Sequence, residues 1–84
     1  MQNYPNPASD LTYFPYNITR RESITIEVIS MNGSVVKTIL NQKRQRAGLH
    51  LLKIDLIGLN SGIYFIRFTS SAEGTRTIPF MVMR

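Results

Sequence analysis

No cysteine occurs among the 84 residues, so neither a disulfide framework nor a thiolate metal site can form, and the redox compartment stays open. Histidine occurs once, as His50. With no Cys and no Asp-rich loop, a three-ligand metal site within one chain has no ligands, and a surface or turn-packing imidazole is expected. Only five carboxylates are present, Asp10, Glu22, Glu27, Asp55 and Glu73. None of them pair on one expected strand face at an acid–base spacing; Glu22 and Glu27 lie an odd number apart and should point opposite ways. Gly-x-Ser-x-Gly, Gly-x-Gly-x-x-Gly and P-loop patterns are missing, which removes the nucleophile elbow and the phosphate cradle. No catalytic residue, cofactor or metal is therefore expected. No apolar run approaches the roughly 20 residues of a membrane-spanning helix, so no transmembrane segment is expected. The opening Met1-Gln2-Asn3-Tyr4-Pro5 lacks the basic start and apolar centre of a signal peptide. An exported chain of this kind would be a piece of a longer protein, with Met1 an added start.

What is present is globular: 43% hydrophobic and 18% charged residues, a composition that folds. One domain of this length buries roughly 60–65% of its unfolded surface, which leaves little room for a deep catalytic cavity. The net charge is +5. Its only clusters, Arg20-Arg21 and Lys43-Arg44-Gln45-Arg46, fall where inter-strand turns are expected, as solvated charges that discourage edge pairing. A nucleic-acid reading would rest on Lys43, Arg44 and Arg46 and on counterion release; no nucleic-acid partner is expected.

The dominant sequence period is two. Ile24, Ile26 and Val28 alternate with Ser23, Thr25 and Glu27, a half-buried strand. Asn32-Gly33 predicts a type I′ hairpin, with Val35 to Leu40 running back. After the basic loop and Ala47-Gly48, Leu52, Ile54 and Leu56 mark another strand. Gly58 and Gly62 bracket a short connection to Ile63–Thr69, with Tyr64, Ile66 and Phe68 on one face. Residues Ser70 to Gly74 predict a hairpin loop. In the last strand, Thr75 to Met83, Ile78, Phe80 and Val82 face the core, and Pro79 fits an edge. Upstream, Leu11 to Ile18 is a strand expected to be broken by Pro15. With no amphipathic helix, the expected fold is all-β, an immunoglobulin-like antiparallel β-sandwich of about seven short strands over residues 11–84. Residues 1–10 form an extended N-terminal lead-in that Tyr4 should anchor by burying its ring. Tyr13, Phe14 and Tyr16 are the aromatic cluster on which carbohydrate binding would depend, although alternation sends Tyr13 and Phe14 to opposite faces.

Tyr4-Pro5-Asn6-Pro7, Met31-Asn32-Gly33 followed by Val35-Val36, Ala47-Gly48-Leu49-His50, Ser61-Gly62-Ile63-Tyr64-Phe65 and a terminal basic residue occur in that order. No one of these motifs is specific; the five together, spanning almost the whole chain, resemble the C-terminal sorting domain of the type IX secretion system, type A. The resemblance implies a sorting signal that targets a larger exported cargo across the outer membrane of Bacteroidetes-type bacteria, from the periplasm to the cell surface or medium. The implied partners are the secretion machinery and a sortase-like cysteine protease that removes the domain upstream of Gln2, with contact to anionic lipopolysaccharide. The implied recognition residues are Pro5, Asn6, Pro7, Gly62, Tyr64, Met81, Val82, Met83 and Arg84. A terminal strand with free backbone groups, ending in Arg84, would offer a receptor an edge for β-augmentation and a polar handle. This chain departs from the family pattern at Ile54 before Asp55 and at Pro79. The alternative is a non-catalytic immunoglobulin-like accessory or carbohydrate-binding module of a secreted protein.

Overall fold

The computed structural model describes residues 3–84; residues 1 and 2 of the expected lead-in lie outside the described residues. Six strands follow in chain order: β1 (Leu11–Ile18), β2 (Glu22–Ser30), β3 (Val35–Gln45), β4 (Gly48–Asp55), β5 (Gly62–Ser70) and β6 (Gly74–Val82). They form an antiparallel sandwich of one two-stranded sheet, β1-β4, and one four-stranded sheet, β3-β2-β5-β6, so six strands stand where about seven were expected. Alternation explains the core. Phe14, Tyr16 and Ile18 from β1 and Ile54 from β4 face Ile24, Ile26 and Val28 of β2, with Tyr64, Ile66 and Phe68 of β5 and Phe80 and Val82 of β6 completing the cluster. Tyr16 and Phe14 reach across to Phe68, with ring centroids 5.3 and 6.2 Å apart, within the range where tilted rings attract.

Four local expectations are corrected. Pro15 does not break β1, which pairs with β4 throughout, Pro15 opposite Leu51. Tyr13 exchanges both backbone hydrogen bonds with Tyr4 on the outer side of β1. Two residues on, the nitrogen of Pro15 points to that same outer side, where no ladder donor is needed. The β2–β3 turn is not type I′, because Asn32 keeps negative φ and only Gly33 is left-handed, at 89°. Gly33 N–H donates to Ser30 C=O (3.0 Å) and Ser30 N–H to Ser34 C=O (2.9 Å). This pattern is a three-residue loop closed by a glycine bulge.

Lys43, Arg44 and Gln45 belong to β3 rather than to a loop. Register shifts let the longer β3 pair with β2, and Gln42 takes a left-handed φ of 48° with its N–H donated to Thr25 Oγ1. The lead-in is anchored, but not through Tyr4, which stays 50% exposed against Tyr13. Asn3 and Ala8 are the buried residues there, and Asn3 Nδ2 donates to the buried Thr12 hydroxyl, which donates to Pro5 C=O.

Candidate recognition site at the terminal edge

β6 is an outer strand of its sheet, and its last turn of chain is not bare. Ala8 forms a parallel bridge with Val82: Ala8 N–H donates to Met81 C=O and Met83 N–H to Ala8 C=O, both at 2.8 Å. Met81 N–H donates to Asn6 Oδ1 at 3.0 Å. Since the backbone of Met81 and Met83 faces outward, that of Thr75, Thr77 and Pro79 does so too, by strand alternation. Pro79 thus presents its donorless nitrogen on the unpaired side, as expected for an edge proline. The edge available to another strand is consequently Thr75 to Pro79, while the lead-in covers residues 81–83.

Asn6 therefore acts through an accepted hydrogen bond to β6, Pro5 through its carbonyl on Thr12, and Pro7 is exposed between them. Val82 is buried, whereas Met81 and Met83 are exposed. Gly62 opens β5 opposite Val82 with φ of 156°, a region that side chains disfavour. Tyr64 packs on Phe80, and its hydroxyl donates to Asn60 C=O at 2.7 Å, holding the β4–β5 connection against the strand.

Arg84 turns toward its own chain. Its guanidinium pairs with Asp10 at 2.9 Å and donates to Leu59 C=O at 2.6 Å and to Leu56 C=O. Its backbone N–H reaches Ser61 Oγ. The handle envisaged from sequence is thereby a clasp joining the lead-in, the β4–β5 connection and the C-terminal residues. The pairings of Asn6, Asp10 and Arg84 were invisible in sequence, since they join residues more than 70 positions apart.

Two shallow clefts flank this edge. One, about 380 Å³, is lined by Met31 and Asn32 of the β2–β3 turn and by Ser61 to Tyr64, so two of the five sequence motifs share a surface. The other, about 240 Å³, joins Asn6, Ile63, Pro79, Phe80 and Met81. The aromatic cluster resolves into packing: Phe14 and Tyr16 are core, and Tyr13 is half-buried beneath Tyr4. His50, half-buried at the far side of the molecule, stacks on Tyr16 at 5.0 Å.

No curated protein matches the sequence. The family model described as the Secretion system C-terminal sorting domain matches residues 2–82, nearly the whole chain and every strand of the sandwich. That family is a non-catalytic sorting signal of exported proteins. The chain belongs to the type IX secretion C-terminal sorting domain family.

Proposed function

We propose that this domain carries a larger cargo protein across the outer membrane by the type IX route, and that it is read as a folded unit at its terminal edge. The observation that carries the reading is the family match over residues 2–82. Reading as a folded unit is supported by proximity: the Pro5-Asn6-Pro7 lead-in, Gly62-Ile63-Tyr64 and Met81–Arg84 become neighbours only through β5–β6 pairing and the Ala8 bridge. An unfolded chain would present them as separate stretches. A receptor strand would pair along Thr75 to Pro79 while its side chains meet Met81, Ile63 and the lead-in. After transit, a sortase-like protease cuts upstream of Gln2 and the cargo passes to a surface anchor such as anionic lipopolysaccharide.

The test is a fusion of the domain behind a signal peptide and a fluorescent cargo in a host with type IX secretion. Removing Met81 to Arg84 should leave the cargo in the periplasm, and Arg84→Ala should separate the clasp from the strand. Both variants are checked for a native-like melt, so that loss of recognition is not confused with loss of folding. Export of the folded truncated fusion at the intact level would remove Met81 to Arg84 from the reading and favour an accessory module.

A further inference from the structure

On the side of the sandwich away from the terminal edge, the β1–β2 connection and the β3–β4 corner enclose a cleft of about 400 Å³ lined by Arg21, Arg44, Gln45, Arg46 and His50. Three arginines and a histidine line it, with no carboxylate residue in the lining. The ion pairs among the described residues involve Arg67, Arg76 and Arg84, and none involves Arg21, Arg44 or Arg46. Glu22, the acid next to Arg21 in sequence, is turned into the sandwich: it is 3% exposed and accepts hydrogen bonds from Ser70 Oγ and Ala72 N–H.

The cleft is also braced. Gln45 Oε1 accepts from the Tyr16 hydroxyl while Gln45 Nε2 donates to Arg44 C=O, each at 3.3 Å. His50 Nε2–H donates to Arg46 C=O at 2.7 Å, and its ring lies on Tyr16 with an interplanar angle of 10°. The backbone that presents Arg44 and Arg46 is thus tied on both sides to a buried tyrosine. Like charges gathered without a counterion repel one another, and a bound anion would remove that repulsion.

We propose that this cleft is a binding site for a tetrahedral dianion, a phosphate or sulfate group. A single carboxylate offers two oxygens and one charge, too few for three guanidinium forks. A phosphate or sulfate offers oxygens on several sides and two charges, which matches a lining that draws arginines from both β2's start and the β3–β4 corner. Single-stranded nucleic acid fits less well, because base stacking needs an open aromatic face and the buried Tyr16 ring is already covered by His50. The group can be free or carried on a lipid headgroup; the chemistry at the cleft is the same. This proposal is independent of the sorting function.

The test is a titration of the 84-residue chain at constant ionic strength, followed by amide NMR shifts and calorimetry. The probes are inorganic phosphate, inorganic sulfate, an oligothymidylate, and phosphatidylcholine vesicles with and without phosphatidic acid. Phosphate should bind saturably at one site per chain, with shifts centred on Arg21, Arg44 to Arg46 and His50. Arg44→Gln and Arg46→Gln should each weaken it about tenfold, the loss of one charged hydrogen-bonding partner. Arg76→Gln, the same change of net charge on β6, should leave it unaltered, and all three variants should keep the wild-type circular dichroism. Vesicle uptake that requires phosphatidic acid would assign the site to a headgroup; phosphate binding without vesicle uptake would assign it to a free anion, and either supports the proposal. Absence of saturable phosphate and sulfate binding, equal weakening by Arg76→Gln, or oligothymidylate binding stronger than its charge explains would overturn it.

Discussion

Individual residues here do work that their positions in the sequence do not advertise. Glu22 reads as an ordinary strand-end acid, yet it is buried, with one oxygen on Ser70 and Ala72 and the other without a hydrogen-bond partner. Arg84 reads as a free terminal charge and is instead a clasp. Gly62 was legible, because a glycine ahead of an aromatic strand signals a conformational need. A Cβ there meets nothing within 4 Å, so the cost of Gly62→Val is expected to come from backbone strain at φ of 156°. We expect the variant to lose about 1–3 kcal/mol in urea unfolding; an unchanged midpoint would show that the glycine is not required. Tyr16 makes a second residue-level prediction. Burial raises its phenol above the ordinary 10.0, so the folded chain resists forming phenolate. Its contribution to stability is full below about pH 10 and is lost as pH rises from the unfolded value toward the raised folded one. Tyr16→Phe should flatten that alkaline decline relative to wild type, measured as the unfolding midpoint against pH.

Elements were readable where alternation was regular and unreadable where it was not. The inward residues of β1, β2, β4, β5 and β6 follow from period two alone, and Pro79 correctly marks an edge strand. β3 is different. Asn41, Gln42, Lys43 and Arg44 have no apolar alternation, and the pairing survives through register shifts and a left-handed Gln42. A strand that wins its place by backbone pairing along β2 leaves no hydrophobic trace, so its polar half reads as a loop. The docking of the lead-in was expected, but its true anchor escaped for the same reason: Ala8 is small, and its hold on β6 is made by backbone groups. Hydrogen exchange should resolve the two halves of the β6 edge. The Met81 and Met83 amides, donated to Asn6 and Ala8, should be protected, whereas the outward amides of Thr75 and Thr77 should exchange as open backbone. Asn6→Ala should raise exchange at Met81 specifically. Uniform protection along β6 would mean that its outer edge is covered from end to end, leaving no strand for a receptor.

At the scale of the whole molecule, four of the five motifs that looked like separate turns prove to be parts of one folded edge and its supports. Met31-Asn32 shares a cleft with Ser61 to Tyr64, the lead-in straps β6, and Arg84 ties the β4–β5 connection to Asp10. Ala47-Gly48-Leu49-His50 lies elsewhere, at the corner that shapes the cationic cleft. The fold class and the family were legible because strand alternation and motif order survive in a linear text. The strap and the clasp were not, because each joins distant residues through groups that every chain possesses. An address built this way should work only as a folded whole and only in cells that can read it. The most direct measurement is the fraction of fluorescent cargo outside the cell for the fusion described above, in a host with type IX secretion and in the same host with the machinery deleted. We expect the cargo outside in the first and held in the periplasm in the second, with cargo lacking the domain held in both; periplasmic retention of the folded intact fusion in the competent host, or equal export from both hosts, would contradict the account.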